Sequence, residues 1–186
     1  MEWFPQLRLG WWNGWIALAL LYAVFGVLLW RFPKEGVSRL YDRSGWSRTD
    51  RIRTAAGKML GVVLLVVIVL SPLKVGQPVF ALGSILYVLG LAFFVAALLS
   101  FANTPPDRPV TSGPYSISRN PQQVGLSIAA LGICFAVGSW AFILAWLLGH
   151  LSVHMRILAE ERTCLQQYSE SYRSYMQRVP RYLLFF

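Results

Sequence analysis

Long uncharged runs dominate this sequence and restrict what it can fold into. Residues 11–30, 59–73 and 79–102 contain no Asp, Glu, Lys or Arg. Each run is close to the roughly 20 residues that an α-helix needs to cross the hydrocarbon core of a bilayer. Charged residues make up only 13% of the 186-residue chain, against about 25% in soluble domains. The sequence therefore predicts one all-α, polytopic membrane helix bundle.

A fourth run, residues 124–155, also lacks formal charge if its two histidines are neutral. As one helix it would be about 48 Å long, which is too long for a simple span. Gly138 and Ser139, near its middle, favour a tight hairpin of two helices, the second continuing into the cytosol; a single tilted helix is the alternative. The hairpin predicts about five transmembrane helices and a cytoplasmic C-terminal helix.

The basic residues are distributed unevenly along this arrangement. Of the 17 Lys and Arg residues, all except Arg8 and Lys74 fall on one side of the five spans. This is the positive-inside pattern, and it predicts that the N-terminus is outside and the C-terminus cytoplasmic. The net charge of +9 is therefore assigned to topology and to attraction by anionic membrane lipids, and no nucleic-acid partner is expected. Trp3, Trp11, Trp12 and Trp15 are expected to form an interfacial aromatic belt.

Two polar segments flank the predicted hairpin and contain the residues best suited to chemistry. In the first, Pro121 suits the first turn of a helix and Asn120 its N-cap, so the free amides there would favour an anion. In the second, Glu161 shares a helix face with His154, Tyr168, Tyr172 and Tyr175. A buried carboxylate on that face must meet a cation, from Arg or from a ligand.

Glu160 and the two histidines have simpler interpretations. Glu160 points to another face of the helix, where it can pair with Arg156 one turn back. His150 and His154 have the spacing of two metal ligands on a helix, but the sequence has no HExxH motif or Cys or Asp cluster beside them. We expect no metal site and interpret both histidines as hydrogen-bonded inside the bundle.

The order of these residues resembles the membrane methyltransferases of the isoprenylcysteine carboxyl methyltransferase and phospholipid methyltransferase group. The resemblance covers about residues 79–186, with an apolar hairpin between its two parts. The matching residues are Gly113, Pro114, Tyr115, Arg119, Pro121 and Gly125 before the hairpin, and Glu160, Glu161, Tyr172, Tyr175, Val179, Pro180 and Arg181 after it. Asn120 and Gln123 depart from the pattern, which usually has His and Tyr there. Asn still forms hydrogen bonds, but it cannot carry a proton near neutral pH.

The resemblance implies an integral membrane methyltransferase that transfers a methyl group from S-adenosylmethionine to a lipophilic or lipidated acceptor, of the isoprenylcysteine carboxylate or phospholipid amine type. Residues 1–78 would be scaffold spans with a basic cytoplasmic loop, and residues 79–186 the cofactor-binding part. Glu161, then Glu160, would pair with a cationic part of the cofactor. The expected catalytic residues are Arg119, Glu161 and Arg181; the expected cofactor-binding residues are Gly113, Pro114, Tyr115, Asn120, Pro121, Gln123, Gly125, His154, Glu160, Glu161 and Tyr172.

Two other functions fit the same residues. Membrane sterol reductases share the pattern and would use NADPH to reduce a lipid double bond. A relative without catalytic activity, which binds lipid or a partner, would explain the departures at Asn120 and Gln123. All of these interpretations require that the Arg119 loop and the Glu161 helix converge at the inner leaflet around a nucleotide-sized pocket.

Overall fold

The computed structural model describes residues 1–183 and is all-α. Three of its helices, α3 (Arg48–Leu70), α4 (Pro78–Ala102) and α6 (Trp140–Arg178), are long and apolar enough to cross a membrane. Two more apolar helices, α1 (Trp15–Arg31) and α5 (Pro121–Val137), have 17 residues each and are about 25 Å long. The predicted class, a polytopic helical membrane protein, is confirmed. The elements in order are α1 (Trp15–Arg31), α2 (Lys34–Tyr41), α3 (Arg48–Leu70), α4 (Pro78–Ala102), a 3-10 turn (Gly113–Ser116), α5 (Pro121–Val137) and α6 (Trp140–Arg178).

The predicted hairpin is present at the predicted residues. Helix α5 ends at Val137, and Gly138 follows in the left-handed conformation with φ 71° and ψ 38°, which glycine adopts without a Cβ penalty. Ser139 then precedes α6, so residues 124–155 are two helices and not one tilted helix. Helix α6 continues for 39 residues, with a break at Ser169, where φ is 47°.

Helices α4 and α5 form the closest pair in the bundle, because glycines let their backbones touch. A Cβ placed on Gly125 would lie 2.6 Å from the backbone N of Phe94, and one on Gly132 would lie 2.5 Å from that of Tyr87. Gly83 and Gly90 on α4 face the backbone of Ala136 and Ala129 on α5 in the same way. Small residues at close helix crossings are typical of membrane bundles, where van der Waals packing holds helices together.

A polar contact ties α5 to α6 inside the bundle. His150 hydrogen-bonds through Nε2 to the Ser127 hydroxyl, and its Nδ1 lies 2.6 Å from the Trp146 carbonyl. Because a carbonyl only accepts, Nδ1 carries a proton, and in the neutral ring Nε2 then accepts from Ser127. Trp146 completes the tie by donating from Nε1 to the Ser127 carbonyl at 2.9 Å. The interpretation of His150 as a hydrogen-bonded residue of the bundle is confirmed.

Residues 1–14 cross one end of the bundle as an extended strap. The backbone of Glu2 pairs with Gly138 and Trp140 at 2.7 and 2.9 Å, and its carboxylate contacts Lys74 at 2.6 Å. Asn13 is 2% exposed and donates to the carbonyls of Arg8 and Val69. The strap exposes its tryptophans, including Trp11 at 86%, as the predicted aromatic belt requires.

Residues 34–50 fold back against α6 at the other end of the bundle. Ser47 caps α3 in a capping box with Asp50. Gly45 approaches α6 so closely that a Cβ there would lie 2.9 Å from the Thr163 hydroxyl. Trp46 is buried, and Arg162 contacts Asp50 at 2.9 Å. A segment that the sequence suggested is solvated scaffold is therefore packed onto the helix that contains Glu161.

The backbone contact between α4 and α5 predicts unequal effects of two Gly→Ala substitutions. Gly90→Ala forces a methyl group into the α5 backbone and should destabilise the protein by about 1–3 kcal/mol, as overpacking does. Gly26→Ala, in the middle of α1, meets no atom within 4 Å among residues 1–183 and should be neutral or slightly stabilising. Thermal unfolding in detergent measures both variants. Equal melting temperatures for the two would contradict this account of the helix pair.

Candidate functional site

The Arg119 loop and the Glu161 helix meet, as the sequence hypothesis requires. Arg119 Nε lies 3.2 Å from one oxygen of Glu161, and the Nε and Nη2 atoms of Arg181 both lie 3.0 Å from the other. Arg119 also donates from Nη1 to the Met176 carbonyl at 2.9 Å. Its backbone N–H donates to Pro180. The loop, α6 and the tail after α6 are thus joined at one carboxylate.

This three-residue cluster, Arg119–Glu161–Arg181, is nearly dry. The side chains of Arg119 and Glu161 are 3% and 5% exposed, and that of Arg181 is 22% exposed. Charges so buried are tolerated only when they are paired and hydrogen-bonded. The hydrogen bond from Arg181 to Glu161 raises the pKa of the Arg181 guanidinium above its ordinary value. Both oxygens of Glu161 are occupied by arginines, so the cluster chiefly holds three chain segments together.

Asn120 takes the predicted N-cap position of α5, but its side chain has a different role. The Asn120 amide donates to Glu161 Oε1 at 3.4 Å and to the Arg181 carbonyl at 3.2 Å. The Asn120 side chain forms no cap hydrogen bond, so the expected side-chain cap is wrong; its amide is turned toward the cluster instead. Pro121 does stand in the first turn of α5, as predicted.

Tyr115 is fixed beside the cluster by two neighbours. Tyr175 donates to the Tyr115 carbonyl at 2.6 Å, and Gln122 donates to the Tyr115 hydroxyl at 2.9 Å. Burial raises the pKa of the Tyr115 phenol, so the hydroxyl keeps its proton at neutral pH and can donate it to an acceptor.

A cavity of about 640 Å³ lies against this arrangement, within the range of about 300–1,000 Å³ that is usual for small-molecule and cofactor sites. Its walls differ in chemistry. One is aromatic, formed by tyrosines of the 3-10 turn and of α6, and another is apolar and formed by side chains of the membrane helices. A third is charged. The principal lining residues are Tyr115, Tyr168, Tyr172 and Tyr175; Phe25, Phe94, Phe101 and Leu126; and Arg39, Arg43, Arg119, Arg156, Glu160 and Glu161.

Glu160 occupies a more open part of the cavity wall than Glu161. Its carboxylate lies 3.4 Å from Arg156 Nε and 3.9 Å from Arg43 Nη2, and the Glu160 side chain is 34% exposed. Arg156 is held by Gln123, which accepts from Nη2 at 2.6 Å. The predicted pairing of Glu160 with Arg156 is confirmed, and Gln123, one of the two departures from the family pattern, positions that arginine.

Sequence reasoning missed the cavity residues supplied by α2 and the α2–α3 loop. Arg39 donates to the carbonyls of Thr104, Pro105 and Arg108 at 3.0–3.3 Å. Its guanidinium also lies 4.7 Å from the centre of the Phe101 ring. Arg43 lies 4.6 Å from the centre of the Trp46 ring. Arg43 lies two residues beyond the end of α2, so the two arginines do not share a helix face, and helical periodicity gave no signal for them.

Several expected cofactor-binding residues lie outside the cavity wall. Gly113, with φ 62°, is packed against Ser100, and Gly125 contacts the α4 backbone. His154 bonds to the Tyr182 hydroxyl at 2.8 Å. Pro114 and Pro121 belong to the turn and helix start that support Tyr115 and Asn120. The wall does include Tyr115, Arg119, Asn120, Gln123, Glu160, Glu161 and Tyr172.

Metal-ligating side chains are not grouped in this part of the chain. Within residues 1–183, no group of three or more His, Cys, Asp or Glu side chains is placed to hold a metal ion. The cavity instead combines opposite charges, aromatic faces and an apolar wall. Such a combination suits an organic ligand with both charged and flat parts, next to a lipophilic one.

Comparison with known families accounts for this arrangement. A family model described as phospholipid methyltransferase matches residues 59–171, which is more than half of the chain. The match includes Arg119, Glu160 and Glu161, whereas Arg39, Arg43 and Arg181 lie outside it. Searches of curated proteins and of solved structures gave no match. The chain belongs to the phospholipid methyltransferase family and is a membrane methyltransferase of that general kind.

Proposed function

We propose that this protein transfers a methyl group from S-adenosylmethionine to a lipophilic acceptor in the membrane, of the phospholipid amine or isoprenylcysteine carboxylate type. The observation that carries the proposal is the cavity, where charged, aromatic and apolar walls meet at the family-matched loop and helix. A cofactor with ammonium, carboxylate, sulfonium and adenine groups needs the first two walls. An acceptor with a lipid chain needs the third.

Glu160 is the better placed carboxylate for the cationic part of the cofactor. Its pairs with Arg43 and Arg156 are long, and its side chain is 34% exposed. Glu161 already contacts two arginines at 3.0–3.2 Å. The sequence favoured Glu161 over Glu160 for this contact; the geometry supports the reverse order. Arg119, Glu161 and Arg181 then act as positioning residues that hold the wall of the site in place.

The tyrosine-rich wall suits the adenosine part. Tyr168, Tyr172 and Tyr115 line the cavity, and the Tyr172 and Tyr175 rings lie 5.7 Å apart, in contact with one another. Aromatic faces stack on flat heterocycles and exclude water. A methyl transfer needs acceptor, methyl carbon and sulfur in line at a dry site, so alignment and water exclusion are the main contributions expected from the protein.

The apolar wall indicates how an acceptor could approach. Phe25 of α1, Phe94 of α4 and Leu126 of α5 line the cavity, and the Phe25 and Phe94 rings lie 5.8 Å apart. These side chains belong to apolar helices, and we infer that the lipid chain of an acceptor lies along this wall. In the transfer, an acceptor nucleophile forms a bond to the methyl carbon as the bond to sulfur breaks, and an amine acceptor must also lose a proton. With the N-terminus outside, the cavity would open on the cytoplasmic leaflet.

Cofactor binding separates this proposal from the two alternatives. Full-length protein in detergent should release or absorb heat with S-adenosylmethionine in isothermal titration calorimetry, and should give no such signal with NADPH. Binding of NADPH, with its oxidation by a sterol-like substrate, would support the reductase. A folded sample without detectable S-adenosylmethionine binding at about 1 mM, the upper end of usual KM values, would support a non-catalytic relative.

The two adjacent glutamates should fail in different ways. Glu160→Gln should weaken S-adenosylmethionine binding about tenfold, which corresponds to about 1.4 kcal/mol, with little change in melting temperature. Glu161→Gln should destabilise the fold by about 3–5 kcal/mol, because it leaves Arg119 buried without its counter-charge. Calorimetry and thermal unfolding measure the two effects.

Glu170→Gln is the matched control for this pair, since Glu170 is an exposed carboxylate of the same helix, paired only loosely with Arg173 at 3.5 Å. It should change neither property. If Glu161→Gln melted like the wild type and lost more cofactor affinity than Glu160→Gln, the direct contact would belong to Glu161, and the assignment made here would be wrong.

A further inference from the structure

We propose that Arg43 and Arg156 form an anion-binding subsite in the cavity, which holds the negatively charged group of the lipid acceptor. This inference rests on the proposed methyl transfer and names the acceptor chemistry that the site selects. The two arginines come from different parts of the chain: Arg43 follows α2, and Arg156 lies on α6. Their common neighbour is Glu160, at 3.9 and 3.4 Å.

The other arginines of the cavity wall are committed to protein groups. Arg119 contacts Glu161 at 3.2 Å and donates to the Met176 carbonyl at 2.9 Å. Arg39 donates to three carbonyls of residues 104–108. Among the arginines that line the cavity within residues 1–183, this leaves Arg43 and Arg156 as the pair with loose ionic contacts.

The loose contacts with Glu160 can be exchanged for contacts with a ligand. Arg156 Nε, like Arg119 Nε, is buried and forms no hydrogen bond within the described part of the chain, but the carboxylate 3.4 Å from Arg156 is the partly exposed Glu160, whereas that beside Arg119 is the buried Glu161. The Arg43 contact at 3.9 Å exceeds hydrogen-bond distance. The two guanidinium groups and the Glu160 carboxylate that they contact carry a net charge of +1; Asp42 also lines the cavity, but its carboxylate accepts from the Ser44 N–H at 2.8 Å. Once the cofactor's ammonium contacts Glu160, that surplus increases and favours an anion further.

Both guanidinium groups are held in place before a ligand arrives. Gln123 accepts from Arg156 Nη2 at 2.6 Å, and Arg43 donates from Nη1 to the Asp42 carbonyl at 2.7 Å while lying over the Trp46 ring. A guanidinium fixed in this way loses little conformational entropy on binding and matches the oxygen pairs of phosphate and carboxylate groups. The acceptor class is therefore a lipid with a phosphate diester or a carboxylate close to the methylated atom.

Binding measurements test the subsite without requiring turnover. Full-length protein in uncharged detergent is saturated with S-adenosylhomocysteine, which keeps the ammonium but has no methyl group to transfer. It is then titrated with dodecyl phosphate or with N-acetyl-S-farnesylcysteine, which is a carboxylate. The methyl ester of the latter is the uncharged match. We expect at least one anion to bind, and the ester to bind at least tenfold more weakly than its acid if the carboxylate is the favoured anion. Preference for the phosphate or for the carboxylate then identifies the source of the charge.

Variants assign the effect to the two arginines. Arg43→Gln and Arg156→Gln should each weaken binding of the favoured anion about tenfold, and neither should weaken binding of S-adenosylmethionine, because each removes a cation that competes for Glu160. Arg43→Lys and Arg156→Lys retain the positive charge and should recover part of the affinity for the anion. They also keep the test valid if a Gln variant folds poorly. Arg53→Gln, on the exposed face of α3, removes the same charge outside the cavity and should have no effect.

Three results would overturn the subsite. The first is that wild-type protein binds S-adenosylmethionine but neither anion, and the second is that all four Gln and Lys variants bind the anion as tightly as the wild type. The third is that the Arg variants lose affinity for S-adenosylmethionine, which would assign the two arginines to the cofactor's own carboxylate. Failure of the wild type to bind S-adenosylmethionine at all would instead overturn the proposed function.

Discussion

The Glu161 carboxylate is the contact on which the site depends. It joins the loop before α5, the middle of α6 and the tail after α6, through Arg119 and Arg181 at 3.0–3.2 Å. A carboxylate in so buried a position requires both partners, and each partner orders its own segment. Arg119 donates to the carbonyls of Met176 and Pro180, and the single backbone carbonyl of Arg181 accepts from Ser118 and Asn120. The neighbouring cavity exists because these segments are fixed together.

Glu160 and Glu161 have different roles because they are adjacent on a helix and therefore point in different directions. Adjacent residues on an α-helix point about 100° apart, so one carboxylate is buried in the bundle while the other reaches the cavity. The buried carboxylate stabilises the wall, and the half-exposed one remains available to a ligand. Gln123 belongs to the second environment, since it fixes Arg156 beside Glu160. Asn120 belongs to the first, where it adds a neutral donor to a cluster that already holds two cations.

Much of the fold could be predicted from the sequence. Uncharged runs of membrane length must form spanning helices, and the Gly138–Ser139 turn fixes where two of them are joined. The convergence of Arg119 and Glu161 was also predicted, from a shared helix face and a family resemblance. The contribution of Arg39, Arg43 and Trp46 to the cavity was not predicted, because it depends on how the α2–α3 segment folds back over α6. The close approach of Gly45 to Thr163 produces no periodic pattern in the sequence. The Asn120 side chain was misassigned for a similar reason: its acceptors lie more than forty residues away.

The glycine contacts between α4 and α5 have a consequence for ligand exchange. Two helices in backbone contact cannot separate or rotate without losing that packing, so this pair behaves as one rigid body. Helix α2 is different: none of its eight residues is buried, and Arg39 attaches it to the carbonyls after α4. Any widening of the cavity for passage of a nucleotide would therefore be expected from displacement of α2, with the Arg39 hydrogen bonds breaking first and the α4–α5 pair standing still.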